Sequence, residues 1–76
     1  MNERTLAELV PSQGGVIAEV GGDRSFRRRL MELGLVPGTL VTLRQVAPLG
    51  DPLEFEVRGC RLSIRRREAA AVILSA

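Results

Sequence analysis

The chain has 76 residues, which allows one domain, and at this length folding buries only roughly 60% of the surface that the unfolded chain exposes. A core this small leaves no room for a large cofactor or a deep substrate cleft. The single cysteine excludes an internal disulfide, and no apolar run is long enough to cross a bilayer. Residues 1–4 lack the apolar stretch of a signal peptide, so we expect a single domain over residues 1–76 in the cytoplasm.

The charge of the chain comes from arginine and carboxylates. All eleven basic residues are arginine, set against nine acids, for a formal net charge of +2. Arginine alone could signal phosphate recognition, because its planar fork binds oxyanions in a two-pronged fashion. The net charge is small and the acids alternate with the arginines, so a coding bias against lysine is the preferred explanation.

The N-terminal third predicts a short helical turn, a strand and a longer helix. Residues 5–9 favour a helical turn ended by Pro11, and residues 14–20 favour a strand. The helix begins near Ser25, with Asp23 or Ser25 capping its first free amides. One apolar stripe at i, i+4 and i+7 marks its buried face: Phe26, Leu30 and Leu33.

The helix is followed by a turn and a strand. Gly34 stands where a left-handed C-terminal residue is needed, and Pro37-Gly38 fits the centre of a type II turn. Residues 39–46 then predict a strand with Val41 and Leu43 on one face.

The C-terminal half predicts a hairpin, a helical turn and a last strand. Residues 53–58 alternate strictly, and residues 61–65 repeat the pattern after a Gly59-Cys60 turn. We expect the first strand to bury Leu53, Phe55 and Val57, and to direct Glu54 and Glu56 toward Arg61 or Arg65. Residues 68–70 predict a one-turn helix, and residues 71–74 a final strand. Five short strands with a helix between the first two indicate a mainly β protein, a small and strongly bent barrel of antiparallel strands.

Three sequence segments follow one another in a distinctive order. They are residues 29–38, with the sequence RLMELGLVPG, residues 47–52, with APLGDP, and residues 57–65, with VRGCRLSIR. In this order they resemble the FeoA family, the small cytosolic proteins that accompany the FeoB ferrous-iron transporter. The resemblance extends over about residues 6–74. It implies an SH3-like β-barrel with an added helix, and a function exerted through protein contacts with the cytosolic part of FeoB, so that the protein is peripheral to the membrane only through its partner.

The side chains that usually carry chemistry are few. There is no histidine, tyrosine or tryptophan, so we expect no catalytic residue, no metal site, no cofactor and no enzymatic activity. Asp51, in a Gly-Asp-Pro loop, is interpreted as a structural acceptor for nearby backbone amides, and Cys60 as a small packing group. Arg29 is expected to bond the loop after the helix, and Arg28 to pair with Glu32 at i, i+4.

Surface recognition is therefore the positive hypothesis. Apolar residues on connections that are normally polar, together with two arginines of the helix, make up the candidate partner-binding surface. Its members are Arg27, Arg28, Leu35, Val36, Pro37, Pro48, Leu49, Asp51 and Pro52.

Two other classes of function compete with this hypothesis. The first is a nucleic-acid-binding barrel, against which both aromatic residues, Phe26 and Phe55, occupy core-facing positions that leave no platform for stacking bases. We expect no nucleic acid as a partner. The second is a homo-oligomeric structural module that associates weakly through the edge of the last strand.

Overall fold

The computed structural model describes residues 4–75 and contains five strands, two α-helices and a 3₁₀ turn. The predicted strands and helices are all present, with ends that differ by two residues or fewer. In chain order the elements are the 3₁₀ turn Leu6–Glu8, β1 Gly14–Val20, α1 Arg24–Glu32, β2 Leu40–Val46, β3 Leu53–Val57, β4 Cys60–Ile64, α2 Arg66–Ala69 and β5 Val72–Leu74.

The strands form one antiparallel sheet in the order β4-β3-β2-β1-β5. Strand β1 pairs with β2 through residues 14–16 and with β5 through residues 17–20. Register shifts lie between Ile17 and Glu19 and between Leu43 and Gln45. Because a bulge bends a strand and increases its twist, these shifts allow a short sheet to curl into a barrel.

The core fills the inside of this curved sheet. The alternation predicted for the central hairpin is confirmed, since Leu53 and Phe55 of β3 and Val41 and Leu43 of β2 are each at most 1% exposed. The other elements close the barrel with further fully buried side chains: Leu6, Ile17, Leu30, Leu35, Ile64, Ala69 and Val72.

Helix α1 begins one residue before the predicted start. Asp23 is the N-cap, and its Oδ1 accepts a hydrogen bond of 2.9 Å from the backbone N–H of Phe26. Leu30 is fully buried and Phe26 packs against the core, but the prediction for Leu33 is wrong, because that side chain is 45% exposed. The helix ends at Glu32, and Leu35 rather than Leu33 enters the core beyond its end.

The sequence predicted the turn before β2 correctly and misplaced the turn after β3 by one residue. The turn after α1 is confirmed, with Gly38 at φ +90° and a hydrogen bond of 3.2 Å from Thr39 N–H to Val36 C=O. The β3–β4 turn is centred on Arg58 and Gly59, at φ +51° and +81°, and not on Gly59-Cys60. A two-residue hairpin turn of this type needs a positive φ at both positions, and Cys60 therefore already pairs with Val57.

Two further expectations change in the folded chain. The Cys60 side chain is exposed, so it is not the packing group that was predicted. The outer edge of β5 is occupied at Ile73 and Leu74, because Thr5 bridges Ile73 and Leu74 N–H donates to Arg4 C=O at 2.8 Å. Within residues 4–75, none of the helices has the length and apolar character needed to cross a membrane.

Candidate functional site

The predicted partner-binding residues do not form one surface. Residues 34–38 precede β2 and residues 47–52 follow it. The seven residues of β2 separate these segments by roughly 20 Å, since a strand advances about 3.3 Å per residue. Arg27 and Arg28 lie on α1, which is a third location. The candidates therefore divide into a helix face, a post-helix turn and a hairpin loop.

The post-helix turn contributes less surface than predicted. Leu35 is fully buried, so its assignment to an exposed apolar surface is wrong, and Val36 is partly buried. Pro37 is exposed. The reason is the shortness of α1, since the chain must return to the barrel directly after Glu32 and places Leu35 in the core as it does so. Leu40, which sequence reasoning missed, is 60% exposed on the outer face of β2.

The hairpin loop, residues 47–52, presents one almost fully exposed apolar side chain. Leu49 is 97% exposed and is flanked by the exposed Pro48. The loop is closed by its own backbone, because Gly50 N–H donates to Ala47 C=O at 2.8 Å and Ala47 N–H donates to Pro52 C=O at 3.1 Å. A leucine on a closed turn is displayed without the freedom of an open loop.

Arg66, at the start of α2, fastens this loop to the barrel. Its backbone N–H donates to Asp51 Oδ1 at 2.9 Å, its Nε donates to Gly50 C=O at 3.0 Å, and its Nη1 donates to Ala7 C=O at 3.1 Å. Asp51 is thus an acceptor for a backbone amide, as its loop position predicted. Sequence reasoning missed Arg66, although residues 65–67 are an arginine run as dense as residues 27–29.

Helix α1 carries three of its four exposed arginines on one face. Arg24, Arg27, Arg28 and Met31 follow the i, i+3, i+4, i+7 spacing, and all four are exposed. The predicted pair is present, with 3.6 Å between Arg28 Nε and Glu32 Oε2, and both side chains are largely exposed.

Arg29 has a different partner from the one expected. Its guanidinium donates to the nearly buried carboxylate of Glu68 in α2 and lies 5.9 Å from the centre of the Phe26 ring. The predicted bond to the loop after the helix is absent because Glu68 offers a charged acceptor in a partly dry environment. This guanidinium lowers the pKa of the Glu68 carboxyl, an effect that the hydrogen bond from Arg65 N–H reinforces and that burial opposes.

Within residues 4–75, no three histidine, cysteine, aspartate or glutamate side chains come together in an arrangement that could hold a metal ion. The most prominent exposed features are the closed hairpin loop with Leu49 at its tip and the basic face of α1.

Comparison with known proteins identifies the family of the chain. The family model of the FeoA domain matches residues 4–76. The chain is 39% identical over 67 residues to a Porphyromonas gingivalis protein described as an Fe(2+) transport protein A/Fe(2+) transporter FeoB fusion protein. That match covers 88% of this chain and only 8% of the fusion protein.

Solved structures agree in fold. The solution structure of the FeoA protein from Chlorobium tepidum has 37% sequence identity and a TM-score of 0.84, with 96% of this chain and 71% of that chain covered. The crystal structure of Stenotrophomonas maltophilia FeoA complexed with zinc, described as a prokaryotic SH3 domain protein, has 33% identity and a TM-score of 0.82, covering 95% and 89%.

These relatives confirm the SH3-like barrel that the motifs implied, and they attach it to an accessory, transport-associated domain that is not a known enzyme family. The chain belongs to the FeoA domain family, which is linked to ferrous iron transport.

Proposed function

We propose that this protein is a non-enzymatic accessory and regulatory protein of ferrous-iron uptake that acts as a single domain by contact with the cytosolic part of a FeoB-type transporter. The observation that carries the proposal is the relative in which transport protein A and transporter FeoB are one chain. A covalent link holds two modules at high effective concentration, so a fusion favours modules that act on each other. The protein then works in the cytoplasm, at the membrane only through its partner.

The hairpin loop supplies the contact. A hot spot in an interface is a large side chain that enters a pocket of the partner, surrounded by contacts that exclude water. Leu49 is 97% exposed, and Arg66 together with the backbone bonds of the loop holds it in place. Docking therefore orders little chain, while burial of the leucine contributes about 1.5–3 kcal/mol.

The test is a titration of isotope-labelled protein with the soluble cytosolic domain of its FeoB partner, followed by NMR with and without guanine nucleotide. We expect shifts at residues 48–52, and we expect Leu49→Ser to weaken the Kd by roughly 10- to 100-fold, as loss of that burial requires. Leu40→Ser is the matched control, because Leu40 is also exposed but lies at the other end of β2.

Three results would contradict the proposal or its site. Absence of shifts at high protein concentration would exclude this contact, and equal weakening by the Leu49 and Leu40 substitutions would remove the hairpin loop as its site. Strong salt-sensitive retention on RNA, with no binding to the transporter domain, would favour the nucleic-acid class instead.

The competing functions find less support in the fold. Phe55 is fully buried and Phe26 packs against the core, so neither ring is free to stack on a base. The edge of β5 is partly occupied by Arg4 and Thr5, which weakens the argument for association through that edge.

A further inference from the structure

The arginines of the sheet and those of the helix differ in how they are neutralised. On the sheet, Arg44 Nε lies 2.8 Å from Glu56 Oε1, and Arg61 Nη1 lies 2.8 Å from Glu54 Oε1. Each of these charges is matched by a glutamate on the neighbouring strand, although neither glutamate is the residue directly opposite in the register: Glu56 pairs with Thr42, and Glu54 pairs with Ser63. These two arginines of the sheet are thereby neutralised.

The carboxylates next to α1 have partners other than Arg24 and Arg27. Asp23 accepts from the backbone of Phe26, and Glu68 accepts from Arg29. Glu32 lies beside Arg28. Among residues 4–75, Arg24 and Arg27 form no ion pair, and both are exposed. The helix face therefore keeps positive charge that the fold does not compensate.

A stripe of four exposed residues lies on this face of α1: Arg24, Arg27, Arg28 and Met31. The stripe is about 10 Å long, since each residue advances 1.5 Å along the helix axis. A shallow groove lined by these four residues and Glu32 runs along one side. Met31 is 39% exposed, so the stripe is basic over its first turns and apolar at its end.

We propose that this stripe binds an acidic segment of a partner protein, with carboxylates on Arg24 and Arg27 and an apolar side chain on Met31. Arginine suits this contact because its planar fork holds a carboxylate with two hydrogen bonds, and methionine adapts its shape to the residue it meets. The inference rests on the proposed function in one respect, namely that the acidic segment belongs to the cytosolic part of the transporter.

The surroundings of the stripe favour a protein segment over a membrane or a nucleic acid. Asp23 and Glu32 border the stripe at its two ends, so a uniformly anionic lipid surface would meet negative charge on either side of the arginines. A peptide places its carboxylates individually and avoids that repulsion. No aromatic side chain stands beside the stripe to stack a base, apart from Phe26, which packs against the core.

The test uses hexaglutamate as the acidic probe, with hexaglutamine as its uncharged control, in an NMR titration of the full chain. We expect shifts concentrated on the backbone amides of residues 24–31, and a Kd roughly fivefold weaker for the double substitution Arg24→Gln/Arg27→Gln. The matched control, Arg44→Gln/Arg61→Gln, removes the same net charge from the sheet and should leave the Kd within twofold of the wild-type value.

Equal weakening by the two double variants would overturn the inference, because binding would then follow net charge alone. Shifts centred on residues 65–67 would overturn it as well. So would binding to vesicles of phosphatidylglycerol without binding to hexaglutamate, which would identify lipid as the occupant.

Binding measurements with the transporter domain distinguish failure of this inference from failure of the proposed function. If that domain binds the wild type and Arg24→Gln/Arg27→Gln equally well, the stripe is not its site and the inference fails while the proposed function stands. If hexaglutamate maps to the stripe and the transporter domain does not bind at all, the stripe is confirmed as an acidic-peptide site and the proposed function fails.

Discussion

At the scale of single residues, Arg66 does more than any other described side chain to shape the candidate contact loop. One residue connects the 3₁₀ turn, through Ala7, with residues 50 and 51 of the hairpin loop. Its fork geometry matters, because two separate nitrogens, Nε and Nη1, donate in fixed directions to two carbonyls on different segments, whereas a lysine donates from a single nitrogen. Leu49 is almost fully exposed and makes no contribution to the core, so its position depends on the hydrogen bonds of Arg66 and on the backbone bonds of the loop.

We therefore expect Arg66→Gln to loosen the loop while the barrel stays folded. Two hydrogen bonds from a charged donor at the surface are lost, which lowers the free energy of unfolding by about 1–2 kcal/mol. The clearer readout is ¹⁵N relaxation, in which the order parameter of Leu49 should fall. Arg67→Gln is the control, since Arg67 makes no side-chain hydrogen bond among residues 4–75. An unchanged order parameter at Leu49 would show that the loop is held by its own backbone.

Gly38 is a second residue whose role is local, and its prediction concerns the backbone alone. It adopts φ +90°, and an added Cβ would meet no atom within 4 Å. Gly38→Ala should therefore lower the free energy of unfolding by about 1 kcal/mol through strain at positive φ, without any clash. Urea denaturation measures this, and Gly38→Asn should recover part of the loss because asparagine tolerates that region better. Equal stability of alanine and wild type would contradict the argument.

At the scale of elements, the two helices are tied together by one ion pair. Arg29 of α1 lies over the Phe26 ring and donates to the carboxylate of Glu68, and Glu68 also accepts from Arg65 N–H at the start of α2. The short helix α2 thus holds α1 through Glu68 and the hairpin loop through Arg66. A four-residue helix is not stable alone, so these contacts explain why it forms.

This pair predicts a pH dependence of stability. The Arg29 hydrogen bond lowers the pKa of Glu68 in the folded chain. The ion pair therefore stabilises the fold fully at pH values above the pKa of the unfolded chain, about 4.3, and this stabilisation is lost as the pH falls through the lower pKa of the folded chain. Glu68→Gln should cost about 1 kcal/mol at pH 7, and the difference from wild type should shrink in acid.

Urea unfolding at neutral and acidic pH measures the difference. Glu32→Gln is the control, since the Arg28–Glu32 side chains are 79% and 69% exposed and such pairs contribute little. A loss for Glu68→Gln that does not change between neutral and acidic pH would assign the effect to packing and not to charge.

At the scale of the whole molecule, charge and apolar exposure are distributed unevenly over the barrel. The sheet pairs its charges across strands, the helix face leaves Arg24 and Arg27 unbalanced, and the hairpin loop exposes Leu49. The two contact surfaces that we propose therefore lie on one small barrel, in a chain whose family, FeoA, is linked to ferrous iron transport. Simultaneous use of both would give a partner more affinity than either surface provides alone.

The sequence by itself determined the elements and the family. Strict alternation in residues 53–57 predicted the buried face of β3, and Gly38 predicted its turn, because both signals act over a few neighbouring residues. The ordered motifs also predicted the SH3-like barrel, which the solved relatives confirm.

Only the tertiary structure decided which residues share a surface. Leu35 enters the core because α1 ends early, Cys60 becomes exposed because the hairpin turn is one residue earlier, and Arg66 reaches Ala7 from 59 positions away in the chain. The Arg66 contact joins residues distant in sequence, which local periodicity does not encode, and the burial of Leu35 and the exposure of Cys60 are properties of the packed chain. The physical reason is that burial and hydrogen-bond partners follow from how the elements pack against one another, while the formation of each element follows mainly from its own residues.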